Sequence, residues 1–95
     1  MIHFEWDEAK DRKNLLKHGV DFDTAKFAFY DPMALVIWDR EIDGEQRWHI
    51  IGRIEHRRVL LVVHTIRNDD ADTFVRIISA RKATPSERRR YEEGG

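Results

Sequence analysis

Apolar residues follow two different spacings along this chain, and the change comes at about residue 33. Before it they lie three or four positions apart, which is the spacing of one face of an α-helix. After it apolar and polar residues alternate, which is typical of β-strands. The alternation predicts four strands, at 34–39, 47–54, 58–67 and 73–82. Because only short turns separate them (43–44, 55–57 and 68–72), we predict an antiparallel meander.

Capping residues mark the first two helices. Asp7 is a good N-cap, and Gly19 occupies the position where a left-handed residue commonly ends a helix. Asp21 is a second N-cap, and Pro32 stops the helix that follows it. The predicted ranges are 8–17 and 22–30. Helical spacing predicts that Ala9 and Leu16 of the first helix face inward.

A third helix is predicted at the C-terminus. Thr84 is its N-cap, Pro85 its first residue, and Glu87 completes a capping box. A short strand at 2–5 precedes the first helix. The predicted fold is therefore α+β: a four-stranded antiparallel sheet plus the short N-terminal strand, with two N-terminal helices and one C-terminal helix covering one face.

Length and composition restrict the class of protein. Ninety-five residues predict one domain over 1–95, and 41% hydrophobic with 37% charged residues is typical of a folded globular chain. No cysteine is present, so disulfides and cysteine-based zinc sites are excluded. The longest apolar run, 59–63, is too short for a membrane span, and no signal peptide opens the chain. We expect a cytoplasmic protein with no membrane contact.

Charge is segregated along the chain although the net charge is only −1. Residues 1–45 carry a net charge of −5, whereas residues 46–95 carry +4. Lys82 is the only lysine of the second half, and the planar guanidinium of arginine suits phosphate geometry better than an ammonium group does. A chain of this kind can bind a polyanion on one face despite its near-neutral sum.

The most informative stretch is the last strand with the helix after it. The strand ends in Arg81 and Lys82, and the helix carries three consecutive arginines and Tyr91. A strand end and a helix therefore bring several cations and a phenol to one edge of the domain. A solvated strand end followed by a basic surface helix is the simpler interpretation of the same residues.

These residues resemble the C-terminal signature of the BrnT family, the toxin halves of bacterial type II toxin–antitoxin pairs. The similarity lies in RIISARKA followed by ERRRYE, and the opening FEWDE and KHGVDF is similar to the family's N-terminus. The resemblance implies a RelE-like fold and a ribonuclease that cuts RNA and inhibits translation. It also implies a cognate ribbon-helix-helix, BrnA-like antitoxin. Because such antitoxins are dimers, we expect a 2:2 complex that binds operator DNA only through the antitoxin.

The residues themselves favour RNA chemistry without a metal or other cofactor. The five histidines show neither i, i+4 pairing nor zinc-ligand spacing. RNA cleavage then needs cations to stabilise the phosphorane, and a group that titrates near neutrality to move protons. Arg81 and Arg67 are candidates for the first role, and His64 or Tyr91 for the second. His64 lies on an apolar row of its strand, where a core position is the alternative.

The predicted hairpin separates the cations into two clusters. Arg67 and Arg81 should lie about 20 Å apart along the ladder, at about 3.3 Å per residue. One cluster comprises Arg53, Arg58, Arg81, Lys82 and Tyr91, and the other comprises Arg47, Arg67 and Arg76. The resemblance favours the first cluster as the site, and it keeps Arg67 as a candidate because BrnT-like sequences carry a cation at that place. The expected RNA-binding residues are Arg47, Arg53, Arg58, Arg76 and Lys82.

Two other functions are compatible with the sequence. A catalytically silent RNA- or protein-binding module would use the same cations, because phosphate binding and phosphate catalysis need the same groups. A co-repressor acting through a DNA-binding antitoxin is the third hypothesis.

Overall fold

Five strands form one mixed sheet in the computed structural model, which describes residues 1–94. The strands are β1 (Ile2–Glu5), β2 (Leu35–Ile42), β3 (Glu45–Glu55), β4 (Arg58–Asp69) and β5 (Asp72–Lys82). Strands β2 to β5 form the predicted antiparallel meander, in the order β1–β5–β4–β3–β2. The short N-terminal strand β1 pairs parallel with β5, so the prediction of an antiparallel sheet holds for four of the five strands.

Each hairpin of the meander closes through a two-residue loop. Asp43 (φ 51°) and Gly44 (φ 80°) both have the positive φ that a type I′ turn requires. His56 (φ 42°) and Asp70 (φ 53°) begin the other two loops. The strands are therefore longer than the alternation predicted, because backbone pairing continues into the polar residues beside each turn.

All three helices begin at their predicted caps. They are α1 (Glu8–His18), α2 (Phe22–Ala25) and α3 (Pro85–Glu92). Asp7 accepts the N–H groups of Ala9 and Lys10 at 2.8 and 3.1 Å, and Gly19 is left-handed at φ 71°. The capping box of Thr84 and Glu87 is present at the start of α3.

The second predicted helix, 22–30, changes type part-way. After α2 the chain continues as a 3₁₀ helix, Lys26–Tyr30, before Asp31 turns extended ahead of Pro32. This segment lies very close to β3. A Cβ added at Gly52 would approach the carbonyl oxygen of Ala28 to 2.6 Å, so only glycine fits at that position.

The helices lie on both faces of the sheet, which corrects the prediction that all three cover one face. We call the face packed by α1, α2 and the 3₁₀ segment the helix face; its core includes Phe22, Leu60 and Val62. Helix α3 packs on the opposite face, where Tyr91 joins Ile51, Val59, Leu61 and Ala83. Tyr91 is the one buried residue of α3, and it packs into the core of this opposite face. We call this second face the open face, because α3 covers only one end of it.

Helix α1 is attached through a polar residue. Asn14 is 7% exposed, and its amide donates to the carbonyl of Ala80 at 2.7 Å and accepts the N–H of Ala80 at 3.1 Å. The side chain thus replaces a neighbouring strand on the part of β5 that β1 does not reach. The predicted inward residues Ala9 and Leu16 are exposed, Leu16 to 88%. That prediction is wrong because packing depends on the amide of Asn14 rather than on an apolar stripe.

None of the helices in the described part of the chain is long and apolar enough to cross a membrane.

Candidate functional site

A row of polar side chains crosses the centre of the open face. Arg76 of β5 lies opposite Thr65 of β4. Arg47 of β3 directly precedes Trp48, which pairs with His64, so Arg47 lies beside Thr65 on the other side. Since neighbouring strands lie about 4.8 Å apart, the two arginines are within reach of one phosphate group.

A groove runs alongside this row. Its volume is about 430 Å³, and its lining includes Glu5, Gln46, Thr65, Arg67, Phe74 and Arg76. Arg67 lies over the ring of Phe74, with its guanidinium carbon 4.5 Å from the ring centroid, and contacts Glu5 at 3.3 Å. His3 stacks on the same ring at 4.8 Å. These contacts hold the guanidinium of Arg67 at the wall of the groove.

Arg47 has an unsatisfied donor. Its Nε–H is buried and has no acceptor among the residues that the structure describes. Arg40 lies directly opposite on β2, and two like charges in this position repel each other. Arg40 makes a salt bridge with Asp39 at 3.1 Å, whereas Arg47 makes no salt bridge within residues 1–94.

A histidine–aspartate pair lies next to Arg47. Nε2 of His49 is 3.4 Å from the carboxylate of Asp39, and His49 is two residues from Arg47 on the same strand face. A β-bulge between Trp38 and Arg40 accounts for Asp39 reaching this face. Sequence reasoning missed His49 as a functional candidate. The sequence contained a signal for it, because His49 alternates with apolar residues in the same register as Arg47 and Arg53. All three therefore lie on the same face of β3.

The predicted residue His64 lies on the other side of the sheet. It is 1% exposed within the core of the helix face, and Phe29 packs edge-on against its ring at 4.7 Å. Its Nδ1 lies 3.2 Å from the carbonyl of Val62, and burial lowers the pKa of its imidazole. This placement gives no support to a catalytic role.

Arg81 and Arg58 are compensated within the chain. The guanidinium of Arg81 donates two hydrogen bonds to Glu87, at 2.7 and 2.9 Å. Those bonds, with the N–H of Thr84, lower the pKa of Glu87 to about 2. Arg58 contacts Glu55 at 3.3 Å. A phosphate would have to compete with these carboxylates.

Strand alternation separates the last two cations of β5. Lys82 pairs with Leu60 and Arg81 with Leu61, so the two side chains begin on opposite faces of the sheet. Lys82 is exposed and makes no salt bridge within the described residues.

Tyr91 links α3 to Asp31, the residue that ends the 3₁₀ segment. It is 8% exposed, and its hydroxyl donates to Asp31, which also accepts the N–H of Arg53 at 2.8 Å. Partial burial, together with the Asp31 carboxylate, raises the pKa of the phenol. The guanidinium carbon of Arg53 lies 5.8 Å from the centroid of the Tyr91 ring. The hydroxyl is engaged and its pKa is raised, which does not favour proton transfer near neutrality.

The predicted separation of Arg81 from Arg67 along the ladder is present, although Arg81 and Lys82 of the first cluster begin on opposite faces. Arg81 pairs with Leu61 and Arg67 with Phe74, and Leu61 and Arg67 lie about 20 Å apart along β4 at about 3.3 Å per residue. Within residues 1–94, Arg47 and Arg76 of the second cluster make no salt bridge, and neither do Arg53 and Lys82 of the first. Within residues 1–94 no three histidine or acidic side chains come together as a metal-binding group.

Comparison with known proteins identifies the family of this chain. A family model described as the ribonuclease toxin BrnT of type II toxin–antitoxin systems matches residues 6–87. This chain belongs to the BrnT family. The 1.1 Å crystal structure of the Brucella abortus ribonuclease toxin BrnT is similar, with a TM-score of 0.65 and 27% identity over 88% of this chain and 97% of that one. Comparison with functionally curated proteins gives no match.

The part of the chain that matches the BrnT family includes the central cations of the open face. Arg47, His49, Arg67 and Arg76 lie within residues 6–87, as do Arg53, Arg58, His64, Arg81 and Lys82, whereas Tyr91 lies beyond that range. As a BrnT family member, the chain is a ribonuclease toxin of a type II toxin–antitoxin system.

Proposed function

We propose that this chain is an endoribonuclease that cleaves RNA without a metal ion, and that the reacting phosphate binds between Arg47 and Arg76. The observation that carries this placement is the buried Nε–H of Arg47 without an acceptor among residues 1–94. A buried donor left unpaired costs about 1–3 kcal/mol, and a phosphate oxygen would remove that cost. Arg76 lies across Thr65 and is likewise without a salt bridge in the described chain.

The chemistry is an intramolecular transfer at phosphorus. The 2′-oxygen of the RNA attacks the adjacent phosphorus and the bond to the 5′-oxygen breaks, giving a 2′,3′-cyclic phosphate and a 5′-hydroxyl. The crowded intermediate carries extra negative charge. The guanidinium groups of Arg47, Arg67 and Arg76 stabilise that charge with charge-assisted hydrogen bonds.

Proton transfer falls to His49 in this proposal. Histidine is the side chain that changes charge between pH 5 and 8 without special assistance. Nε2 of His49 faces the carboxylate of Asp39 at 3.4 Å, which leaves Nδ1 to take the proton of the 2′-hydroxyl. The departing 5′-oxygen takes a proton from water, which reaches this exposed surface.

The test is cleavage of a labelled RNA by the purified chain in the presence of EDTA. We expect cleavage to persist, and Arg47→Ala and Arg76→Ala to lower kcat by about 10²–10³, as removal of one oxyanion-stabilising donor does. Arg90→Ala removes an exposed cation of α3 and is the matched control. Cleavage that stops with EDTA and returns with magnesium would contradict the metal-independent mechanism. Binding of RNA without any cleavage would favour a binding module instead.

We also propose the cellular setting that a toxin of this family implies. The chain acts in the cytoplasm, cuts RNA so that translation stops, and is neutralised by a BrnA-like ribbon-helix-helix antitoxin in a complex with two copies of each chain. Operator DNA is bound only through the antitoxin. Expression of the chain alone should arrest growth and protein synthesis, and co-expression of the neighbouring antitoxin gene should restore both.

A further inference from the structure

A second cationic groove lies away from the open face, along α1. It has a volume of about 270 Å³ and is lined by Lys10, Lys13, Asn14, Lys17, His18 and Ser79 among others. The three lysines lie at positions i, i+3 and i+7, so they share one face of the helix over about 10 Å. All three are exposed, and none makes a salt bridge within residues 1–94.

These lysines are not needed to hold α1 in place. The amide of Asn14 makes that attachment by bonding both backbone groups of Ala80. Asp11, an acidic residue of the same helix, accepts the N–H of Phe22 at 2.7 Å and is engaged with α2. The ammonium groups are therefore left to solvent or to a ligand.

A third groove adjoins the groove beside Arg67 and reaches the start of α1. It is lined by Glu5, Trp6, Asp7 and Arg76, and two of these residues, Glu5 and Arg76, also line the groove beside Arg67. At its other end Asp7 accepts the N–H of Lys10 at 3.1 Å. The third groove thus extends from Arg76 to the residue that caps the helix carrying the lysines.

Two carboxylates lie on this path, and both are engaged. Glu5 contacts Arg67 at 3.3 Å. Asp7 accepts two N–H groups at the start of α1, and these bonds, more than the nearby charges of Lys10 and Arg76, lower its pKa. The surplus of positive charge therefore lies at the lysine groove, whose lining includes no carboxylate.

We propose that the groove of Lys10, Lys13 and Lys17 binds phosphates of an RNA strand that continues from the open face past Arg76. This inference rests on the proposed ribonuclease function and adds that the substrate extends beyond the nucleotides at the reacting phosphate. Ammonium groups on flexible stems bind phosphates as point charges, so this contact positions the strand without reading its sequence.

The experiment compares RNAs of two lengths that cannot be cut. Labelled 2′-O-methyl RNAs of about four and about 16 nucleotides, which span the usual site sizes of small single-strand-binding domains, are titrated at several salt concentrations. The variant is the double substitution Lys13→Gln with Lys17→Gln. The control is Arg12→Gln with Arg90→Gln, which removes the same charge from exposed positions outside the three grooves.

Loss of two phosphate contacts on single-stranded RNA should make the log–log salt slope shallower by about 1.4. We expect this change for the lysine variant with the long RNA only, and no difference from the control with the short RNA. Equal salt slopes for variant and control on the long RNA would show that the lysine groove does not bind RNA phosphates. Cleavage by the unmodified chain would not be affected by that result. If the unmodified chain neither binds nor cuts RNA, the proposed function fails and this inference fails with it.

Discussion

Tyr91 and Asp31 lie 60 residues apart in the sequence, and a hydrogen bond from the phenol to the carboxylate joins them in the fold. Asp31 ends the 3₁₀ segment and Tyr91 belongs to the last turn of α3. The same carboxylate accepts the N–H groups of Arg53 at 2.8 Å and Met33 at 2.9 Å. The hydrogen bonds of Asp31 thus link β3, α3 and the 3₁₀ segment at one end of the open face.

We therefore expect Tyr91→Phe to lower stability rather than catalysis. The substitution removes a hydrogen bond to a charged acceptor, which contributes about 1.5–3 kcal/mol to the free energy of unfolding. Urea denaturation measures the loss, and cleavage of RNA at low temperature should stay near the unmodified rate. Tyr30→Phe, at an exposed tyrosine, is the control. A Tyr91→Phe variant with unchanged stability but no cleavage would instead show a catalytic phenol.

The Arg81–Glu87 pair predicts a specific loss of stability in acid. The folded-state pKa of Glu87, about 2, lies below its ordinary value of 4.5 because Arg81 binds the ionised form. The contribution is fully present above about pH 4.5 and is lost as the pH falls towards 2. Both side chains are partly exposed, so solvent screening limits the contribution to about 1 kcal/mol.

Substitution of Glu87 isolates this effect from the other acids. The difference in unfolding free energy between the unmodified chain and Glu87→Gln should be largest near neutrality and should shrink through that pH window. Glu93→Gln, at an exposed residue after α3, should show no such trend. A difference that stays constant from pH 7 to 2 would mean that the charge of Glu87 contributes nothing.

Local signals in the sequence were sufficient for most of the fold. Alternation located the four long strands, and the caps at Asp7, Asp21 and Thr84 located the helices, because each depends on residues close in the chain. The parallel pairing of β1 with β5 could not be predicted in this way. It joins residues about 70 positions apart, and a four-residue strand carries no signal for its partner.

The candidate site was harder to predict for a similar reason. The sequence shows cations but not which of them a carboxylate neutralises, and Glu87 was recognised only as part of a capping box. The fold brings the same carboxylate to Arg81 and leaves Arg47 without a partner. His49 was overlooked because its partner Asp39 reaches the open face through a β-bulge, which alternation does not reveal.

His49 provides a direct test of the proton-transfer step. Replacement with glutamine keeps a polar side chain but removes the titratable group, so kcat should fall by about 10²–10⁴. Asp39→Asn should lower kcat less than His49→Gln does, since Asp39 acts by orienting His49. His56→Asn is the control, because asparagine tolerates the positive φ of 42° at that turn. Full activity of His49→Gln would assign proton transfer to another group.

The antitoxin should compete with RNA for the open face. The guanidinium groups of Arg47 and Arg76 can donate hydrogen bonds to carboxylates in the same bidentate geometry as to phosphate, and an interfacial charge pair of this kind is sensitive to charge reversal. We expect Arg76→Glu to weaken both RNA binding and antitoxin binding, whereas Arg81→Glu should chiefly disturb α3, because it places a carboxylate beside Glu87. Calorimetric titration with the antitoxin and a light-scattering mass of the complex measure affinity and stoichiometry together. Full-strength binding of the antitoxin by Arg76→Glu, with RNA binding lost, would show that the antitoxin binds a different surface and inhibits without covering the arginines.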